Sequence, residues 1–212
     1  MKFVHLSIQS NITKIRKSGL HMGDGRRGRG VYAVPLMMLE REEDTGALNT
    51  PPQSVPLTSS TLWKWLVKRS NTNRKAIAVV FELPQSCWPI NVRLEVTSKF
   101  AKEFLRAISV TSVEDCVIPK DAATLINDGL NRRGYADFDC EVLTPKGLGH
   151  LLHLYKESGA RPWAQGDESI EIIIREPVPS SCIGRIVPMY QRNVTFKKKK
   201  EKGGKHRAGR YE

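Results

Sequence analysis

The chain has 212 residues, a formal net charge of +12 and four cysteines. A chain of this length buries enough apolar surface to fold without disulfides or a structural metal. The cysteines stand far apart, with no C-x-x-C pair and no spacing typical of zinc sites, so we expect reduced thiols and no metal. No apolar run is long enough to span a bilayer, and the N-terminus lacks the apolar region of a signal peptide. We therefore expect a cytoplasmic protein without a membrane partner.

The positive charge is concentrated at the end of the chain. Residues 197–200 are consecutive lysines, and further cations follow at Lys202, Lys205, Arg207 and Arg210. A run of this kind cannot form a core and suits a polyanionic partner. We predict a single globular domain over residues 1–193 and a disordered basic tail over residues 194–212. A tail that only aids solubility, or has no function, is the alternative.

The first elements predict the order strand, short helix, loop, strand. Residues 2–7 are largely apolar with His5 in the middle, and residues 12–18 follow with apolar positions at helical spacing. A loop rich in glycine and arginine, residues 23–30, then leads into an apolar run that carries Tyr32. His5 and Tyr32 are thus predicted to lie on two strands joined by a helix and a flexible loop.

The rest of the chain alternates between helical and strand patterns. Residues 40–58 are polar without periodicity and predict a long exposed loop, and residues 180–186 predict a short turn. The other patterns predict helices over residues 58–69, 98–108, 119–130 and 144–157, and strands over residues 76–83, 92–96, 113–118 and 169–175. This mixture of elements predicts the α+β class.

Residues 23–28 form a G-x-G-x-x-G pattern, which in dinucleotide-binding proteins follows a strand and precedes a helix. Here a helix precedes the glycines and a strand follows, so a Rossmann site is excluded. Glycine amides together with Arg26, Arg27 and Arg29 could still bind phosphates. A flexible basic loop without a ligand is the alternative.

Two predicted helices carry side chains that could bind a ligand. Trp63 falls on the apolar side of its helix and is expected in the core, whereas Trp65 falls off that side, next to Lys64. Aromatic rings among cations are compatible with base stacking and phosphate contact, so Trp65 is a nucleic-acid candidate. His150 and His153 have no further ligand at metal spacing and are interpreted as surface or partly buried histidines.

Glu171 is an unusual residue for its position. It interrupts a run of isoleucines, residues 170–174, that predicts the most strongly apolar strand of the chain. A carboxylate on such a strand is unfavourable unless its face is a polar cleft or the charge is paired. Glu171 is therefore a candidate for a functional site.

His5 in Phe-Val-His-Leu-Ser, Tyr32 in Gly-Val-Tyr-Ala-Val-Pro and Glu171 in Ser-Ile-Glu-Ile-Ile-Ile occur in this order along the chain. Together with the short helix after His5, they resemble the ADP-ribosyltransferase superfamily of the His-Tyr-Glu type, and within it the small bacterial toxins that modify DNA. The resemblance covers the first 36 residues and residues 165–187. It implies an ADP-ribosyltransferase-like split mixed sheet with peripheral helices.

The resemblance also implies the chemistry. NAD would be a substrate, and the protein would be a glycosyltransferase that breaks the bond between nicotinamide and ribose. His5 would bind a ribose hydroxyl, Tyr32 would stack on the nicotinamide ring, and Glu171 would hydrogen-bond the ribose 2′-hydroxyl and stabilise the developing oxocarbenium ion. Ser7 and Gly30, on the same two predicted strands, would line the NAD site. No metal or redox cofactor is implied.

The nature of the acceptor is predicted separately from the NAD chemistry. Arginine-modifying members of the superfamily carry Glu or Gln two residues before the catalytic glutamate, whereas this chain has Ser169, which disfavours arginine. The basic tail, Arg26, Arg27, Arg29 and Trp65 favour DNA or RNA as acceptor. The resemblance to toxins leaves open an antitoxin or immunity protein as a partner. The alternative functions are an RNA 2′-phosphotransferase, which shares the fold, and a non-catalytic basic protein that binds nucleic acid.

Overall fold

A computed structural model describes residues 1–25, 28–36, 76–111, 113–160 and 169–189. Short 3-10 turns precede α1, β5 and β9. The strands and helices, in chain order, are β1 (Lys2–Ile8), α1 (Ile12–Ser18), β2 (Gly23–Gly25), β3 (Gly28–Pro35), β4 (Ala76–Glu82), β5 (Ile90–Thr97), α2 (Ala101–Val110), β6 (Cys116–Val117), α3 (Ala122–Arg133), β7 (Tyr135–Val142), α4 (Pro145–Glu157), β8 (Ile170–Ile174) and β9 (Ile183–Met189).

The nine strands form one sheet. Eight of them are arranged in the order β6-β7-β5-β8-β3-β1-β4-β9, and β2 pairs with β3 as a hairpin. Every pairing among these strands is antiparallel. The predicted α+β class is confirmed, but the prediction of a mixed sheet is wrong for the described residues. The reason is that α1 connects the antiparallel neighbours β1 and β3, and is not the crossover of a parallel pair.

Three strands were missing from the sequence prediction. β2 lies in the segment predicted as a glycine-rich loop, where it pairs with the start of β3. The segment of β7 alternates apolar residues with tyrosine and acidic side chains, and β9 contains Gly184 and Pro188, which weaken a strand pattern. β9 is the last strand of the sheet order, where proline is tolerated because, among the described residues, one edge of β9 has no neighbour to bond. The predicted helix over residues 58–69, the loop over residues 40–58 and the tail over residues 194–212 lie outside the described residues.

The two faces of the sheet differ in polarity. On β5, Ile90, Val92, Leu94 and Val96 are buried and the residues between them are half-exposed. We call the side of these four residues the apolar face and the opposite side the polar face. Register extends the polar face from Arg93 and Glu95 of β5 to Glu171 on β8 and Asp137 on β7.

Three helices cover the apolar face. The ring of Phe104 on α2 contacts Phe138 of β7 at 5.5 Å between centroids and Tyr155 of α4 at 5.8 Å. Gly129 brings α3 close to β7, since an added Cβ would lie 2.6 Å from the Cβ of Ala136. Over β5 and β7 the core therefore lies between the helices and the apolar face, and the polar face carries charged side chains. On β3, β1 and β4 the polar side is buried as well, through Val34, Val4 and Val80.

Strand β8 is inserted in the middle of the sheet although it follows seven other strands in sequence. It pairs with β3 through Ile172–Ala33 and neighbouring positions and with β5 through Ile172–Val92. The segment after β8 is tied back to the start of the chain, because Leu20 and Val178 exchange main-chain hydrogen bonds of 2.9 and 3.0 Å. Both ends of the described chain thus contribute to the centre of the fold.

The four cysteines are free thiols, as the sequence predicts. Burial raises the pKa of Cys87 and Cys140, and burial followed by the charge of Asp115 raises the pKa of Cys116 to about 11. These three thiols therefore stay protonated at neutral pH and are poor nucleophiles. Within the described ranges, no helix has both the length and the apolar character needed to cross a membrane.

Candidate active site

The three residues of the predicted His-Tyr-Glu set lie on three consecutive strands of the sheet. His5 is on β1, Tyr32 on β3 and Glu171 on β8, and β3 is the middle strand of the three. Residues far apart in sequence are therefore brought to one region of the fold. Their side chains are held by different contacts, which are described in turn.

The imidazole of His5 is bonded to the main chain of β3, with Nδ1 2.8 Å from the carbonyl oxygen of Tyr32. Because a carbonyl oxygen only accepts, Nδ1 carries the proton and Nε2 of the neutral ring has a lone pair. Burial lowers the pKa of His5, and the bond to Tyr32 opposes this shift without cancelling it. The ring is neutral near pH 7, so Nε2 can accept a hydrogen bond from a ligand hydroxyl.

The bond from His5 crosses a place where two strands part. In the described chain, β1 and β3 pair at Phe3–Pro35 and Val4–Val34. Beyond Val4, β1 continues along β4, while β3 is bonded to β8 and β2. We call this place, between His5 and Tyr32, the β1–β3 gap. The imidazole of His5 bonds across this gap to the main chain of β3.

The side chains of the three residues are not all on one face. Tyr32 is opposite Ile173, so Tyr32 and Glu171 share the polar face as diagonal neighbours, positions that are about 7–8 Å apart in an antiparallel pair. Because side chains alternate along β1, His5 lies on the same side as Phe3. Phe3 is paired with Pro35, which lies on the apolar face, so His5 is on the face opposite to Tyr32 and Glu171. A ligand that contacts all three must therefore lie at the β1–β3 gap.

The ring of Tyr32 lies along the β2–β3 hairpin. Its hydroxyl donates a 2.6 Å hydrogen bond to the carbonyl oxygen of Gly28, four residues back on the same strand. A Cβ at Gly25 would lie 2.2 Å from the ring carbon Cζ, whereas a Cβ at Gly23 would have no atom within 4 Å. Glycine at position 25 thus leaves room for the ring in this position, so Gly25 has a packing role independent of any phosphate.

Gly30 and Arg29 are held by the end of β8. A Cβ at Gly30 would lie 2.8 Å from Cγ2 of Ile173, and Nη1 of Arg175 donates a 2.7 Å hydrogen bond to the carbonyl oxygen of Arg29. These contacts explain the glycine at position 30 without a ligand. Contact of Gly30 with NAD, and of Arg29 with phosphate, stays a prediction.

Ser7 lies two residues beyond His5 on β1 and therefore on the same side of that strand. Its hydroxyl accepts a 3.1 Å hydrogen bond from Nδ2 of Asn11. Asn11 thus orients the hydroxyl of Ser7, which lies near the end of β1. The predicted contact between Ser7 and NAD stays a prediction.

Glu171 is half-exposed between two buried isoleucines, Ile170 and Ile172. Its register partner on β5 is Arg93, and Arg93 forms an ion pair with Asp137 of β7. The polar surroundings that the sequence required for a carboxylate on this strand are therefore present. Charged side chains from β5 and β7 supply them.

Sequence reasoning missed Arg93 and Asp137 as neighbours of Glu171. The segment of β5 alternates clearly, so Arg93 could be placed on the face opposite the core. Its partner could not be identified because β7 was not predicted, and the pairing of β8 with β5 joins residues about 80 positions apart in sequence. The hydrogen bond from Arg175 to the carbonyl oxygen of Arg29 was also missed, because these two residues are far apart in sequence.

The other predicted site residues are not brought to this region by the described structure. Arg26, Arg27 and Trp65 lie outside the described residues. His150 and His153 are exposed on α4, as interpreted from the sequence. In the described ranges, no group of three or more His, Cys, Asp or Glu side chains is arranged to hold a metal ion.

Comparison with protein-family models, with curated proteins and with solved structures found no match to this chain. The resemblance noted from the sequence therefore rests on its own residues and on where they lie in the fold.

Proposed function

We propose that this chain is an NAD-dependent ADP-ribosyltransferase with an ADP-ribosyltransferase-like fold. The observation that carries the proposal is the bond from His5 to the carbonyl of Tyr32 at the β1–β3 gap, with Glu171 on the strand that follows β3 in the sheet. A sequence resemblance based on three separated residues does not require them to lie on consecutive strands. Their adjacency supports a common site.

The chemistry assigned to these residues follows from their states. The neutral imidazole of His5 accepts a hydrogen bond at Nε2 from a ribose hydroxyl of NAD and holds the dinucleotide at the gap. The ring of Tyr32, fixed by Gly25 and Gly28, packs against nicotinamide. Glu171 hydrogen-bonds the 2′-hydroxyl of the nicotinamide ribose on the polar face.

In the reaction, the bond between C1′ of the ribose and N1 of nicotinamide breaks, and its electron pair leaves with nicotinamide, which becomes neutral. The positive charge develops on the ribose as an oxocarbenium-like ion, and the carboxylate of Glu171 stabilises it electrostatically. An acceptor atom then attacks C1′ and loses its proton to solvent or to Glu171. The cation-rich composition of the chain supports a nucleic acid as acceptor.

The test uses the full chain and NAD labelled in the nicotinamide and adenylate groups. We expect nicotinamide release that depends on added DNA or RNA, and transfer of the adenylate label to the nucleic acid. The Glu171→Gln variant should lose both. The proposal fails if no nicotinamide is released with DNA, RNA or protein extract. Salt-sensitive nucleic-acid binding without NAD turnover would favour the non-catalytic alternative.

A further inference from the structure

The polar face gives Glu171 a cationic neighbour. Arg93 of β5 is the register partner of Glu171 on one side and of Asp139 of β7 on the other. Cβ atoms of residues directly opposite each other in antiparallel strands are about 4.5–5.5 Å apart. Glu171, Arg93 and Asp139 therefore form one row across three strands, on the face that also carries Tyr32.

Arg93 is fixed in this row by Asp137. The two side chains form an ion pair, and only 21% of the Arg93 side chain and 10% of the Asp137 side chain are exposed. Arg133 approaches the same carboxylate at 3.8 Å. Partial burial strengthens charge interactions relative to a fully solvated surface pair. The guanidinium is thus anchored from β7, and register places Glu171 of β8 on the other side of Arg93.

The charges around Arg93 are electrostatically coupled to Glu171. Burial lowers the pKa of Arg93, but the hydrogen bond and charge of Asp137 and the charges of Asp139 and Glu171 outweigh burial and raise it. A carboxylate that stabilises the guanidinium is stabilised by it to the same extent, because the interaction is mutual. Glu171 therefore belongs to the charge network that Arg93 centres.

We propose that Arg93 is the positioning residue of Glu171, keeping its carboxylate ionised and aimed across the polar face while Asp137 fixes the guanidinium. This inference rests on the proposed function. Arg93 acts through Glu171 and does not contact NAD. Among the described residues, the charged and titratable groups that register places near Glu171 on neighbouring strands are Arg93 from β5, Asp139 and Asp137 behind it on β7, and Tyr32 from β3, with Glu95 one row away.

The main test is the Arg93→Met variant in steady-state NAD cleavage over a range of pH. We expect kcat to fall about tenfold, which corresponds to about one pK unit of lost stabilisation, while KM for NAD changes less than about twofold. The acid limb of the kcat profile should move to higher pH by about 0.5–1 unit, because removing a nearby cation favours the protonated carboxyl group. Arg93→Lys keeps the positive charge without the planar guanidinium group. This variant should show the acid limb of the kcat profile at the wild-type pH and lose part of kcat.

Two controls separate positioning from folding. Arg132→Met removes an exposed arginine that pairs with Asp128 on its own helix and should leave kcat and the acid limb unchanged. Arg93→Met leaves the nearly buried Asp137 without its main partner, so the variant Arg93→Met with Asp137→Asn should recover stability and keep the loss of kcat. If Arg93→Met alone loses activity and the double variant regains it, Arg93 is only structural and the proposal is overturned.

A second measurement does not depend on activity. Unfolding of wild type, Arg93→Met, Glu171→Gln and the double variant forms a cycle, and we expect the two substitutions to be non-additive by about threefold in the unfolding equilibrium constant. An additive cycle overturns the coupling whether or not NAD is cleaved. If the wild type cleaves NAD and Arg93→Met has the same kcat and the same acid limb, the positioning role of Arg93 is rejected and the proposed function is retained. If the wild type does not cleave NAD but the unfolding cycle is non-additive, the proposed function is rejected and the interaction between Arg93 and Glu171 is retained.

Discussion

Along β5, neighbouring residues meet two different environments. Val92 and Leu94 are fully buried under the helices, whereas Arg93 between them is half-exposed on the other side. The apolar face is closed by aromatic rings that contact one another, such as Phe104, Phe138 and Tyr155. The polar face carries charges whose partners come from neighbouring strands. At β5, one face holds the sheet in shape and the other is available for chemistry, so substitutions on the two faces should have separable effects.

The largest effect should come from the apolar face. Phe104→Ala removes a fully buried ring and should lower the free energy of unfolding by about 3–5 kcal/mol. Chemical denaturation measures this loss, with Lys102→Ala on the exposed side of the same helix as the control. A loss below about 1 kcal/mol would mean that the helices are not essential to the sheet.

On the polar face, Glu171→Gln should lower the activity and leave the stability nearly unchanged. It keeps the shape of the side chain and removes its charge, so NAD cleavage should fall by about 10²–10³-fold, the range found when one transition-state contact is lost. The midpoint of unfolding should change little. Glu141→Gln, an exposed carboxylate of β7 on the same face, is the matched control and should keep full activity. Equal loss in both variants would contradict a specific role for Glu171.

A smaller effect is expected at the hairpin that holds Tyr32. In Gly25→Ala the new methyl group would collide with the ring of Tyr32, and in Gly23→Ala it would meet no atom within 4 Å. Because the end of a side chain can move, we expect Gly25→Ala to displace the ring at little cost in stability. KM for NAD should rise about tenfold, equivalent to about 1.4 kcal/mol, and Gly23→Ala should match wild type. Equal KM values in the two variants would remove Tyr32 from the NAD site.

The smallest effect concerns His5 and pH. Its pKa is lowered in the folded protein, so the unfolded chain binds this proton more readily. Its contribution to stability is complete above the unfolded value of about 6.5 and is lost as pH falls toward the folded pKa, by at most about 1.4 kcal/mol per pH unit. The difference in free energy of unfolding between wild type and His5→Asn should therefore shrink as pH falls from 7.5 to 5.5. A constant difference would mean that the buried ring does not titrate as described.

The sequence predicted the parts of this comparison that depend on local pattern. The alternation around Arg93 and the run of isoleucines around Glu171 identify strands because a period of two, or a short continuous apolar run, is visible within a few residues. The strand of Asp137 was not recognised because four of its side chains are polar or acidic, although its apolar side is buried. The row that joins Glu171 to Arg93 could not be predicted, since strand order is set by contacts between distant segments.

The central position of β8 also determines when the fold can be completed. While the chain is being synthesised, β3 and β5 leave the ribosome before the strand that joins them, and each has an edge of unpaired main-chain groups until Ile170–Ile174 arrives. Contacts between such distant segments slow folding, and open edges invite pairing with other chains. A nascent chain that ends before β8 lacks Glu171 as well as the link between the two halves of the sheet. The proposed activity therefore requires that residues 170–174 have been synthesised and have joined β3 to β5.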